Sequence, residues 1–479
     1  MNYRVILHTL GLALNIESAC MVLPIICALC YGDTQSLKIY ALCALLCLIV
    51  GTAFALIKPK NKTMYAKEGF VIAALTWIVI SLFGAIPFTL SGYFPSYIDA
   101  IFETVSGFTT TGASILRDVE VLPRAHLFWR SFTHWIGGMG VLVFVMALIP
   151  HDNGSSMYVL RAESPGPSVS KLVPRLKASA KILYLIYIGM TVIQVIFLLF
   201  GGVGLFEALT LSFGTAGTGG FAVKNSGIAD YSPYIQIVIT VFMTLFGIDF
   251  TMYYLILTRK ARSLFKSDEI KAYLLIILVS ALIISLNTNY MFPSFNTSLR
   301  HGFFQVASII TTTGYSTIDF DLWPSLSKTI LVTLMFVGAC AGSTGGGIKI
   351  SRILILLKSI RKEIKLSAHP GMTHKILMNG KTVESRTVHS VCVYLAVFAA
   401  LFILSILIIS INNFDFTTNF TAIATTMNNI GPGLNLIGPT RNFADFSNLS
   451  KIVLSFDMLI GRLEIFPILM LFAPRTWRK

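Results

Sequence analysis

Apolar residues in this chain come in long runs, near 8–31, 38–57, 69–91, 126–149, 180–201, 233–258, 271–290, 328–357, 388–411 and 447–472. Runs of this length suit helices crossing ~30 Å of hydrocarbon. The alternating stretches of about ten residues that mark a membrane barrel do not occur. Four of the longer gaps hold a moderately apolar segment too short to span, and such segments read as re-entrant half-helices. The pattern therefore predicts an all-α polytopic membrane protein.

Aligning the four gaps exposes an internal repeat. The first carries Phe102-Glu103-Thr104, then Ser106-Gly107-Phe108-Thr109-Thr110-Thr111-Gly112-Ala113. The second carries Phe206-Glu207-Ala208, then Thr215-Ala216-Gly217-Thr218-Gly219-Gly220. The third has Phe304-Gln305-Val306, then Thr311-Thr312-Thr313-Gly314-Tyr315. The fourth has Phe420-Thr421-Ala422, then Asn428-Asn429-Ile430-Gly431-Pro432-Gly433. The reference glycines are taken as Gly112, Gly219, Gly314 and Gly431. The expected architecture is four pseudo-symmetric units of span, pore helix, loop and span around one pore, preceded by an extra two-helix hairpin. Boundaries are set at 1–67 for the hairpin, 68–150 for the first unit, 151–262 for the second with its preceding loop, 263–365 for the third and 366–479 for the fourth.

Composition agrees with the pattern. Of 479 residues, 55% are apolar and 12% charged, against about a quarter charged in soluble domains. The net charge of +15 points to topology, because its cations collect around 58–67, 161–181, 259–271, 349–386 and the C-terminus. Intervening loops hold acids such as Asp118, Glu120, Asp230, Asp319 and Asp415. That alternation is the positive-inside rule and puts both termini in the cytoplasm. No basic loop interleaves stacking aromatics, so nucleic acid is not the expected partner. Five of the seven cysteines fall in the first two apolar runs, where they act as small hydrophobes. Neither H-E-x-x-H, a phosphate-binding loop nor a nucleophile elbow is present, so no enzymatic reading arises.

The repeated loops carry the chemistry. A cation crossing a membrane exchanges its water shell for protein oxygens, and a stack of backbone carbonyls from four loops suits a large monovalent ion. Glycine visits φ > 0 without steric cost and lets successive carbonyls turn inward. The C-terminal end of each half-helix adds partial negative charge. The candidate ion-binding residues are Thr110, Thr111 and Gly112; Thr218 and Gly219; Thr312, Thr313 and Gly314; Asn429, Ile430 and Gly431.

A second feature is the break Gly338-Ala339-Cys340-Ala341-Gly342-Ser343-Thr344-Gly345-Gly346-Gly347 within the eighth run. Each internal glycine costs a helix ~1 kcal/mol relative to alanine, so this segment reads as a broken helix and a candidate gate. Arg462 lies well inside the last run, where Asp457 and Glu464 offer partners. Glu17 and Asp249 are acids in apolar runs with no visible partner.

These motifs, with Ala341-Gly342-Ser343-Thr344-Gly345-Gly346-Gly347-Ile348-Lys349, Gly461-Arg462-Leu463-Glu464 and the stretch 161–167, resemble the Trk/Ktr/HKT superfamily of potassium transporters, the TrkH type most closely, over essentially the full length. The resemblance implies K+ as the transported ion, with no organic cofactor on this chain. It implies a gate formed by Gly342, Ser343, Thr344, Gly345, Gly346 and Gly347 with Lys349 and Arg462. It further implies a TrkA-type cytoplasmic partner that binds nucleotide or NAD, a homodimer in contact with membrane lipid, and a bacterial inner-membrane location. A sodium-coupled or Na+-permeable member of the superfamily is the alternative. In related plant proteins a serine replaces the first-loop glycine when sodium is preferred, and here that position is Gly112. A four-repeat voltage-gated channel would need a span with arginine at every third residue, which is absent.

Overall fold

A computed structural model describes residues 1–59, 65–140, 176–258, 266–369 and 375–477. The stretch 161–167 and the cations between 259 and 262 lie outside the described residues. The chain starts with α1 (Tyr3–Cys20), which continues beyond Met21 as α2 (Val22–Cys30). It returns as α3 (Thr34–Ala55), whose first turn is capped by Asp33 accepting from the Ser36 amide at 3.0 Å. This is the expected hairpin.

Four copies of one unit follow. The first is α4 (Ala66–Leu90), α5 (Tyr97–Phe108) and α6 (Arg124–Gly138). The second is α7 (Leu176–Phe200), α8 (Leu205–Gly217), then α9 (Pro233–Phe246) and α10 (Phe250–Leu257). The third is α11 (Asp268–Thr288), α12 (Phe295–Ile310), then α13 (Ser325–Met335) and α14 (Ile350–Ala368). A two-stranded hairpin, Leu377–Met378 with Lys381–Thr382, precedes the fourth unit. That unit is α15 (Ser385–Ile409), α16 (Phe416–Met427), then α17 (Asn448–Leu463) and α18 (Phe466–Phe472). Polar caps and prolines set several starts: Ser96, Ser294 and Asp415 cap half-helices, and Ser232 followed by Pro233 opens α9.

Continuity separates the two helices of each unit. Among the described residues, six helices are long and apolar enough to cross a membrane: the two of the hairpin and the first helix of every unit. Their outer faces expose residues such as Leu185, Ile283 and Leu407, as lipid contact requires. The second helices of units two, three and four are interrupted. Sequence reading placed a break only in 328–357, but the run 233–258 bends by 90° between α9 and α10. The run 447–472 breaks where Glu464 and Ile465 take φ of 61° and 65°. In the first unit α6 stops at Gly138, with Gly140 at φ 81°, and the remainder of the run 126–149 lies outside the described residues. Apolar residues continue across these breaks, and hydropathy does not register a change in backbone direction. The half-helices α5, α8, α12 and α16 sit inside the cage of spans and are largely buried.

Candidate functional site

Each half-helix ends in the same way. The amides of Thr110, Thr218, Thr312 and Asn429 bond the carbonyls of Gly107, Thr215, Ile309 and Thr426 at 3.0–3.2 Å. The next amides, of Thr111, Gly219, Thr313 and Ile430, reach five residues back to Ser106, Gly214, Ser308 and Thr425 at 2.8–2.9 Å. This is a Schellman-type closure that satisfies the last helix carbonyls. It places Thr110, Thr218, Thr312 and Asn429 in the left-handed region, at φ 55–59°. Two residues on, Gly112, Gly220, Gly314 and Gly431 take φ of 78°, 74°, 82° and 95°.

The second loop therefore aligns one residue later than sequence reading had it. Gly219 lies in the loop, but Gly220 is the counterpart of Gly112, Gly314 and Gly431.

The four loops close on one another. A Cβ on Gly112 would overlap the carbonyl oxygen of Gly219; on Gly220, that of Thr313; on Gly314, that of Ile430; on Gly431, it would be jammed against that of Thr111. Every glycine is thus seated against a carbonyl of the next loop, in the order one, two, three, four and back to one. The threonines of the ring are fully buried. A cavity of about 150 Å³ opens beside it, lined by all four of these glycines.

Under the base of the ring lies the glycine-rich loop. Its neck is pinned by the Gly338 amide on Ile348 O at 2.6 Å and the Ile350 amide on Ala339 O at 3.3 Å. The Gly346 amide donates to Thr312 Oγ1 at 2.7 Å, and Thr218 Oγ1 donates to Thr344 O at 3.1 Å. Gly346 also approaches Asn429 so closely that a Cβ would lie 2.7 Å from its side chain. Arg462 donates through Nη1 to Thr110 Oγ1 at 3.1 Å and to Thr344 O at 2.8 Å. Its Nη2 reaches Gly137 O and Gly138 O at 2.5 and 2.7 Å. Lys349, itself buried, donates to the carbonyls of Gly345 and Gly346. Directly or through Arg462, the loop touches the first residue of all four ring segments.

The partners expected for Arg462 are committed elsewhere. Glu464 pairs with Arg352 at 2.6 Å, and Asp457 accepts from Ser405 at 2.8 Å. Carbonyls compensate the guanidinium instead. Asp249 does have a role: it caps α10 by accepting from the Thr251 amide at 2.8 Å, with its carboxylate against Gly342. Glu17 is buried beside Gly84, with no hydrogen-bond partner among the described residues.

Three supporting residues escaped sequence reading. Glu269, at the start of α11, accepts from the amides of Ala341 and Ser351 at 2.8 and 3.1 Å and so holds both sides of the neck of the glycine-rich loop. Arg130 donates to Glu103 at 2.6 Å and to Ala222 O at 2.9 Å, bracing the limbs that leave loops one and two. Glu103 also takes Ser114 Oγ at 2.9 Å and the Ile115 amide at 3.0 Å. His134 lies behind loop two. Glu103 and Glu207 follow matching phenylalanines in their half-helices, a signal visible in the repeat; Glu269 and His134 carry none.

Fold and site define a multi-pass membrane protein in which four loops from a repeated unit meet in a single buried ring. A family model for TrkH, a cation transport protein, matches residues 38–479. The Trk system potassium uptake proteins TrkH of Halomonas elongata and Escherichia coli K12 are each 34% identical to it, over 487 and 488 residues and 100% of both chains. The crystal structure of the potassium transporter TrkH from Vibrio parahaemolyticus matches with a TM-score of 0.91 at 31% identity, covering 100% of each chain. The chain belongs to the TrkH family of cation transport proteins.

Proposed function

We propose that this chain is the membrane subunit of a potassium uptake system and passes K+ inward through the ring. The observation that carries this is the cyclic seating of Gly112, Gly220, Gly314 and Gly431 against the carbonyls of Gly219, Thr313, Ile430 and Thr111. Four loops that close on each other hold their carbonyls at a fixed spacing, which allows discrimination by ligand number and field. Residues 110–112, 218–220, 312–314 and 429–431 form the filter in this reading. The loop 342–347 is its gate, and Lys349 and Arg462 bring two cations beneath it. A permeant cation leaving the ring meets both charges and a closed backbone loop, so the conformation described is the shut one.

An inside-negative potential is a sufficient drive. It supplies ~2.3 kcal/mol per charge per 100 mV, or about a fiftyfold concentration ratio. The subunit sits in a bacterial inner membrane with both termini in the cytoplasm, as a homodimer. The word "system" in the relatives' names supports a further component. The cationic end of α14, where Arg361 and Lys365 are exposed, offers a docking surface for an acidic, nucleotide-binding partner.

The test is ion flux in vesicles holding the purified chain under a set inside-negative potential. Uptake of K+ that exceeds Na+ uptake several-fold is expected. Equal K+ and Na+ uptake would favour the Na+-permeable alternative, and absence of both, in the intact chain and in a chain lacking residues 342–347, would remove the conduction reading.

A further inference from the structure

Loop two departs from its pseudo-symmetric partners at two positions. In loop one the hydroxyls of Thr109 and Thr111 pair at 2.8 Å, and in loop three those of Thr311 and Thr313 pair at the same distance. The matching residues of loop two are Gly217 and Gly219. Neither takes positive φ, so backbone conformation does not demand glycine at either place. Space does. A Cβ on Gly217 would run into the backbone carbonyl of His134, and a Cβ on Gly219 would fall within the His134 imidazole, overlapping Nδ1, Cγ and Cε1.

The imidazole is fully buried and stands 4.2 Å, centroid to centroid, from the ring of Phe221 just beyond the loop. Its Nδ1 lies 2.9 Å from Gly107 O, near the end of the first half-helix. A carbonyl only accepts, so the proton is on Nδ1. One side chain therefore bonds the helix that delivers loop one and fills the wall of loop two. The carbonyl it backs, Gly219 O, is the one against which Gly112 is seated.

We infer that His134 is a positioning residue of the ring: its imidazole replaces the side chain missing at Gly219 and fixes the direction of the Gly219 carbonyl. This rests on the proposed conduction of K+ through the ring. It also explains why the second loop reads Thr-Gly-Gly where two others read Thr-Thr-Gly.

The experiment is a substitution cycle between the two positions, read as the K+/Na+ permeability ratio in vesicles and as melting temperature in detergent. His134→Ala should lower the ratio about tenfold, within the range of coupling between contacting residues. Gly219→Thr alone should lower it at least as far or prevent folding, because threonine and imidazole compete for one space. His134→Ala with Gly219→Thr should recover the ratio to within about threefold of the unaltered chain. Gly217→Thr serves as control, since its obstacle is the His134 backbone and His134→Ala should not rescue it. His134→Asn, which keeps a donor for Gly107, should fall between the unaltered chain and alanine.

A tolerated Gly219→Thr in the presence of His134 would overturn the inference, as would a double variant that folds without recovering selectivity or does not fold at all. A chain that carries no K+ even when residues 342–347 are removed overturns the conduction reading instead. In that event, non-additive melting temperatures support the packing of His134 against loop two, and additive ones overturn it.

Discussion

Threonine is a poor occupant of the left-handed backbone region, because its branched β-carbon crowds the following carbonyl oxygen. Thr110, Thr218 and Thr312 sit there nonetheless, at a cost of roughly 1–2 kcal/mol each. The helix-closing bonds described above hold the conformation, and the hydroxyls contribute what glycine would not. Thr110 accepts from Arg462, Thr218 donates to Thr344 O, and Thr312 accepts from the Gly346 amide. Two residues later the requirement reverses, since Gly112 and Gly220 combine positive φ with no room for a Cβ. Serine at either position should push the neighbouring carbonyl off line and lower the K+/Na+ permeability ratio, by roughly tenfold for a loss of about 1.4 kcal/mol in discrimination. Reversal potentials measured across a bilayer report that ratio. A fall with Gly112→Ser but none with Gly220→Ser would contradict the equivalence of the two glycines.

The interrupted second helices explain how a backbone loop is stored beneath the ring. Non-helical backbone at membrane depth persists only where protein or water satisfies its polar groups, and two breaks do this for each other. The Cys340 amide bonds Gly247 O and the Phe250 amide bonds Gly342 O, both at 3.1 Å, so the bend of the second unit clasps the gap of the third. Glu269 holds the two sides of the neck. The loop is thus anchored at its base, and at its tip Gly345, Gly346 and Gly347 meet the ring without side chains of their own. Deleting residues 342–347 should raise K+ flux several-fold in vesicles lacking any partner, while the permeability ratio stays unchanged because the ring is intact. Unchanged flux, in a protein whose melting curve shows it folded, would make the segment a packing element.

Across the molecule the ring closes because each seam between units has its own tie. Arg130 joins unit one to Ala222 of unit two, the paired breaks join two to three, and Arg352 with Glu464 joins three to four. Units four and one meet through two ion pairs of equal length, Lys451–Asp99 and Arg117–Asp445, both 2.6 Å. Their surroundings differ: the side chains of the first pair are 7% and 6% exposed, those of the second 74% and 60%. Removing one partner of a buried pair strands a charge and costs about 3–5 kcal/mol, whereas an exposed pair contributes about 0–1 kcal/mol. Lys451→Met should therefore lower the melting temperature much more than Arg117→Ala, and adding Asp99→Asn should restore part of the loss. Equal shifts from the two single substitutions, followed by thermal unfolding in detergent, would place no special weight on the buried seam.

The ten apolar runs, the hairpin ahead of four repeats, the hydroxyl- and glycine-rich loops and the glycine-rich break were all legible in the sequence. Partition into lipid and helix breaking by glycine are properties of short segments, so local composition reports them. The register of loop two was not. Thr215-Ala216-Gly217-Thr218-Gly219-Gly220 offers three glycines, and where α8 makes its last turn decides which of them is left-handed. The partners of Arg462 were equally hidden: two neighbouring acids in sequence pointed to an ion pair, but its contacts are a threonine and carbonyls more than a hundred residues away. Only the tertiary structure decided these matters, along with the bend at 247–249 and the wedge of His134, because each depends on which backbone arrives opposite. Sequence determined that four loops of this chemistry exist; packing determined which atom of each faces the next.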